Sequence, residues 1–457
     1  MSPAYSCTEM QGYAVPVSSE MRTVYQQWRL INVCVLFVGY GLYYLNRKSF
    51  IYLMPEIIAD KGLENNELGA VASSLSLSYS ISKFVGGVLS DHVSPRFMFP
   101  LGLFATGVLA LQQSVASSVS GFVSASFLIG LAQGCGWPGV SKVLKQWYLP
   151  SEIGLSWCVV SSASNLAGTL GPLGLTILAQ SFGWRASMQF CASGAVIVAT
   201  AAGFMMRSSP EDVGLPPLQP HPGVGSSGQS SDRTQSSSAL ANLWAIVSSP
   251  ALWVISLLFL ITNFLIHGVS DWGQLFLIQE KGLSPTTGSS FTSAYSLGAI
   301  VGSITSGFIT DNLVARAGGR RLRGSPRYPW LLLMVAINLL FIYLLRNYIH
   351  ASSYQEVILI VGLFLGVSQY SCVTLYGIIT IESAPTHLSG TAHAFAALAA
   401  NVGAILAGLP LTYISERFSW THALYVMELL SFLSLAVMLL TRRMRMQIGY
   451  QSVARTS

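Results

Sequence analysis

Two adjacent cations, Arg47 and Lys48, interrupt the stretch 40-YGLYYLNRKSFIYLMPEII-58, whose neighbours are apolar or aromatic from residue 30 to 45 and again from 49 to 54. An ionisable side chain at mid-membrane costs about 2.5–3.5 kcal/mol on insertion scales, so two together call for an offset. An anionic ligand supplies one. A guanidinium fork gives parallel hydrogen bonds and an ammonium adds a point charge, a combination suited to phosphate. The other offset is a carboxylate on a neighbouring span. Acids within the apolar runs are scarce, and Asp271, Glu280 and Glu382, which come nearest, all fall near predicted ends.

Neutral groups supply the second kind of chemistry. Asn46, Gln133, Asn165 and Asn401 lie in apolar runs, where amides cost less than charges and can orient a hydroxylated ligand. Trp137, just before Pro138, offers an aromatic face to a sugar ring. Packing and hydrogen bonds between helices are the competing roles of all five. His267 and His393 add titratable groups, and whether they reach the cations depends on the elements that carry them.

Those elements are membrane spans. Of 457 residues, 52% are hydrophobic and 9% charged, and the mean hydropathy is +0.55. A span needs about 20 apolar residues. Runs of that length occur at 28–56, 67–90, 97–117, 121–147, 153–180 and 186–206, then at 250–278, 286–310, 328–346, 355–379, 388–414 and 420–441. We number them spans 1 to 12. The expected organisation is an all-α membrane protein of two six-helix halves, 27–206 and 247–441. Between them 207–246, rich in Ser, Gly and Pro, reads as a flexible cytosolic linker. Residues 1–26 lack the basic start and apolar core of a cleaved signal, so span 1 is expected to direct insertion. Arg316, Arg320, Arg321, Arg323 and Arg327 crowd the loop after span 8, and TRRMR opens the tail 442–457 at its boundary with span 12. The opposite loops hold isolated cations such as Lys61, Arg185, Lys281, Arg346 and Arg417, so both termini are expected in the cytosol. This asymmetry accounts for most of the net charge of +6, which therefore does not signal a nucleic-acid partner. Six dispersed cysteines suggest neither a metal site nor a disulfide framework, and no cofactor is expected.

The halves repeat one another. Lys61-Gly62-Leu63 and Lys281-Gly282-Leu283 are 220 residues apart, as are Gly87 and Gly307, and Asp91 and Asp311. Later in each half Asn165/Asn401, Phe182/Phe418 and Trp184/Trp420 share an offset of 236. Parallel six-span repeats are the architecture of a rocking transporter with its site between the halves. Adding 220 to Arg47 gives His267, which places an imidazole opposite the guanidinium.

The strings YYLNRKSF, SISKFVGGVLSD, GLAQGCGWPGVSKVLKQWY, SNLAGTLGP, PEDVGL, DWGQLFLIQEKG, ESAPTHLSGTAHA and ANVGAILAGLP resemble the organophosphate:phosphate antiporter family of the major facilitator superfamily, in particular its reticulum-resident sugar-phosphate exchangers. The likeness runs from about 25 to 441. It implies exchange of glucose 6-phosphate for inorganic phosphate across the endoplasmic reticulum membrane, functional coupling to a lumenal glucose-6-phosphatase, and a phosphoryl site at Arg47 and Lys48. The segment 87-GVLSDHVSPR-96 resembles the superfamily's gating loop and assigns that role to Asp91 and Arg96. Two departures stand out. Relatives carry a basic residue five positions before the Asp-Trp pair, where this chain has Ile266 beside His267, and a Lys-rich retrieval signal where this chain reads SVARTS. A sensor that binds sugar phosphate without moving it, and a proton-coupled symporter of another organic anion, are the alternatives. The seven dispersed histidines do not form the clustered nucleophile of a membrane phosphatase, so no enzyme is expected.

Overall fold

The computed structural model describes residues 19–89, 93–148, 153–216, 247–317, 325–384, 389–442 and 444, and they fold as an all-helical bundle. Ten of its helices are long and apolar enough to cross a membrane. Helices Asn65–Leu89 and Ile153–Phe182 occupy the places of spans 2 and 5 and complete the twelve. Three spans are broken near prolines, which cannot continue the backbone hydrogen-bond ladder. Span 1 consists of Ser19–Tyr52 and Met54–Lys61, with Pro55 at the joint. Span 4 consists of Val119–Gln133 and Gly136–Trp147, and span 11 of Ser389–Leu406 and Leu409–Arg417.

The duplication read from the sequence is visible in backbone and contacts. Gly62 and Gly282, partners at offset 220, both take the left-handed conformation, with φ of 65° and 70°, after spans 1 and 7. Such a φ is strained for any residue with a Cβ. Trp184 donates its indole N–H to Asp60 at the end of span 1, and its partner Trp420 donates to Gln279 at the end of span 7.

The halves meet through span 2 against span 11 and span 5 against span 8. Four hydrogen bonds between them lie toward the end of the bundle farthest from the chain termini, here called the far face. Asn65 N–H donates to Glu416 and Gln180 to Thr286, while Ser73 Oγ donates to Ile405 O and accepts from Leu409 N–H. A Cβ at Gly408 would lie 2.1 Å from Ser73 Oγ, so the bare backbone there permits the closure.

Three sequence expectations change. Residues 207–216, assigned to the flexible linker, are ordered against the first half: Arg207 O accepts from the Trp147 indole, Arg207 N–H donates to Asn32, and Ser209 with Asp212 forms a capping box. Residues 217–246 and 445–457 lie outside the described residues. Residues 19–26, assigned to the tail, are the first turns of the first helix. Arg327, counted among the arginines of the loop after span 8, is buried at the start of span 9, with bonds to Asp311, Glu382 and Thr310.

Candidate functional site

Span 1 turns Tyr44, Arg47, Lys48 and Ile51 to the interface between halves, since residues three and four apart share a helix face. Span 2 offers Ser76, Tyr79, Ser80 and Lys83 at the same spacing. Span 7 brings Asn263, His267, Ser270 and Asp271, and Tyr370 of span 10 and Asn401 of span 11 close the wall. Together they line a cavity of about 230 Å³.

Its cations divide into two groups. Arg47 lies over the rings of Tyr44 and Tyr79, at 5.0 and 4.7 Å, and the Lys83 ammonium approaches the Tyr79 ring at 4.6 Å. The cation–π contacts soften the desolvation of Arg47 without neutralising it, while Lys83 stays exposed at the edge of the cavity. Among the described residues neither has a carboxylate partner, and Arg47 Nε is buried without any hydrogen-bond acceptor.

Lys48 is engaged. Its ammonium pairs with Asp271 across the halves, and both side chains are buried. The other Asp271 oxygen is 3.0 Å from His267 Nδ1, and Ser270 Oγ donates to the carboxylate at 2.6 Å. Asp271, seven residues from the end of its span as read from the sequence, lies eight residues inside the helix Pro250–Gln279, about 12 Å from its end at the usual rise per residue, deep enough to pair with span 1. The carboxylate offset, set aside for both cations, therefore operates for Lys48 and not for Arg47. Counting the formal charges of Arg47, Lys48 and Lys83 against Asp271 leaves the cavity at +2. A phosphate monoester carries about −1.5 to −2 at neutral pH.

The remaining sequence candidates separate on the same basis. His267 and Asn401 line the cavity, as does Ile266, the position of the departure. Asn46 is buried just behind it, and its amide donates to Leu42 O and Cys191 O. Gln133 donates to Tyr43 O and ties span 4 to span 1. Trp137 packs between Tyr40 and Trp157, at ring separations of 4.9 and 4.7 Å, and Asn165 is not on the cavity wall. His393 lies near Gly377 of span 10, away from the cavity, with Nδ1 buried and unpartnered. Asp91 is outside the described residues. Arg96 donates its backbone N–H to Ser208, and its guanidinium faces the Phe97 ring.

Sequence reading overlooked Lys83, Tyr44, Tyr79 and Tyr370. The signal was present for Lys83, a cation inside span 2 on the face marked by Ser76, Tyr79 and Ser80. Tyrosines in apolar spans carry no such mark, because most of them pack.

Residues 36–408 match the model of the Major Facilitator Superfamily. A probable hexose phosphate transport protein of Chlamydia pneumoniae is 28% identical over 425 residues, 91% of each chain. The membrane sensor protein UhpC of Salmonella typhimurium is 28% identical over 424 residues, covering 92% of this chain and 93% of its own. Among solved structures, a bacterial homolog of the human lysosomal transporter Spinster, inward-facing and unoccupied, superposes with a TM-score of 0.75 at 12% identity. That superposition covers 92% of this chain and 98% of the other.

Proposed function

The chain belongs to the Major Facilitator Superfamily, and from that premise we propose that it exchanges glucose 6-phosphate for inorganic phosphate across the endoplasmic reticulum membrane by alternating access. The observation that carries this reading is Arg47, a cation without a carboxylate partner among the described residues, on the wall of a cavity between the halves. In this scheme the phosphoryl group bridges Arg47 and Lys83, while Tyr44 and Tyr79 hold the guanidinium in place. Asn263, Asn401 and Tyr370, on the second half, face the sugar hydroxyls. Rocking requires both halves to grip one ligand, and a phosphate on the first half with a sugar on the second meets that need. The chlamydial relative's name supports the hexose phosphate class.

The orientation we assign places the terminal face in the cytosol, so the closed far face is lumenal and this conformation is open inward. Product of the exchange then reaches a lumenal glucose-6-phosphatase. Gating by Asp91 and Arg96 belongs to the same proposal. Its counterpart in the second half is the cluster of Asp311, Arg327 and Glu382, with Arg327 to Asp311 and to Glu382 both at 2.7 Å.

Proteoliposomes loaded with phosphate and offered labelled glucose 6-phosphate test the reading. Uptake above that of protein-free vesicles is expected, and its absence, with ligand binding retained, would favour the sensor reading that the UhpC relative raises.

A further inference from the structure

A second cavity, of about 520 Å³, lies on the outer flank of the second half, far from the site between the halves. Spans 9 and 12 form it. They are pinned together on their inner side, where Asn338 donates to Ser431 at 2.9 Å, and they open outward as a groove. Ala336, Leu339, Leu340, Leu429, Phe432 and Leu435 line its apolar length. Ala336 is solvent-exposed in the isolated chain, and its small side chain leaves the lower end of the groove empty.

The upper end is polar. Glu428, which the sequence reading did not count among acids inside spans, accepts from Arg346 Nε at 2.8 Å, and the Arg346 guanidinium lies 5.1 Å over the Tyr425 ring. Tyr343 stands beside them on the wall. Arg346 is in the last turn of span 9 and Glu428 in the first half of span 12, so the polar end is toward the far face. From Tyr425 to Leu435 the helix rises about 15 Å, which carries the apolar part to roughly mid-membrane. The groove therefore runs inward from the far face, with Arg346 at the last turn of span 9, Glu428 about 12 Å inside span 12, and apolar side chains below them.

Two observations identify the occupant's chemistry. The groove faces the bilayer, so what fills it is an amphiphile of the leaflet, with one short hydrogen-bonding end that meets a carboxylate–guanidinium pair. In addition, the wall of span 9 reads Leu340-Phe341-Ile342-Tyr343-Leu344-Leu345-Arg346, the Leu/Val, Tyr, Lys/Arg spacing proposed for sterol contact. That pattern is weak in sequence alone. Here its Leu and Tyr line a groove and its Arg contributes to the polar end.

We propose that the groove between spans 9 and 12 binds a membrane sterol, with its hydroxyl on Glu428 and Arg346 and its rings along Ala336, Leu340 and Phe432. The hydroxyl donates to Glu428 and accepts from the guanidinium, so both retain a partner at membrane depth. Binding there stiffens the second half without touching the central cavity.

The test is photolabelling of the full chain in nanodiscs with a photoreactive sterol, followed by peptide mapping. Label is expected on spans 9 and 12 and in competition with unlabelled sterol. Ala336→Trp, which fills the groove from its exposed face, should cut labelling by about tenfold through steric exclusion. Glu428→Gln keeps the shape and should weaken it by about tenfold through loss of a charge-assisted hydrogen bond. Sugar-phosphate exchange by Ala336→Trp in sterol-free liposomes should remain at the parent level. Label on other spans, equal competition by a phospholipid, or cross-links showing a second copy seated in the groove would each overturn the assignment, and parent-chain mapping decides even if a variant fails to fold.

Discussion

At the scale of single residues, the chemistry depends on which cations are free. Arg47 is the residue the sequence made conspicuous, and it lines the cavity without an acid, so Arg47→Ala should remove the phosphate contact and leave a folded chain. A charge-assisted hydrogen bond contributes about 1.5–3 kcal/mol, hence about 10- to 150-fold in apparent affinity. Arg47→Lys should restore only part of it, because an ammonium cannot bond bidentately. Parent-like uptake by Arg47→Ala at parent abundance would remove Arg47 from the site. Lys48 leads to a different expectation. Paired with Asp271, it makes Asp271→Asn costly, since removing one member of a buried pair costs about 3–5 kcal/mol. Thermal denaturation in detergent should therefore show Asp271→Asn much less stable than the parent, with Lys48→Met/Asp271→Asn recovering much of the loss. If the double variant were no more stable than the single, Lys48 would have a partner other than Asp271. The sequence exposed the cations and could not say which was paired, because pairing depends on where span 7 lies beside span 1. Asp271 is 223 residues from Lys48, and no periodicity reaches that far.

At the scale of elements, the twelve spans were legible because hydropathy over about 20 residues is a strong signal, and the repeat was legible because its glycines and tryptophans do the same work in both halves. The breaks in spans 1, 4 and 11 were less legible. A proline in a long apolar run signals a joint only once neighbouring helices fill the gap it leaves. Nor did the docking of 207–216 follow from composition. It rests on the partners it finds, among them Asn32 and Trp147, and on its own capping box. The joint of span 11 supports a prediction. Gly408 packs its backbone on Ser73 of span 2, and a side chain there must displace it. Gly408→Leu should weaken the far-face closure by about 1–3 kcal/mol, the usual cost of overpacking, and shift the population toward the far-face-open state. Spin-label distances between the far ends of spans 2 and 11 should lengthen. An unchanged distance distribution would mean that the closure is held elsewhere.

At the scale of the whole molecule, the central question is what the cavity's charge does when no ligand is present. Its net charge of +2, set between two halves, is costly to carry through an occluded state in which both ends are closed. A phosphate dianion cancels that charge and the empty cavity does not, so the loaded transporter should cross the barrier far more readily than the empty one. The preference rests on Arg47 and Lys83 lacking carboxylate partners among the described residues. Had the first half carried a second acid beside them, the empty site could cross alone, and net uptake would be as easy as exchange. The proton-coupled alternative would drive uptake by the pH gradient and would need no counter-anion for the empty site to return. The two schemes differ in one measurement. Vesicles preloaded with inorganic phosphate should take up glucose 6-phosphate at least about tenfold faster than empty vesicles, the equivalent of about 1.4 kcal/mol in the barrier for return. An imposed pH gradient should change that rate little. Equal rates in loaded and empty vesicles, with uptake that follows the gradient, would replace exchange by symport.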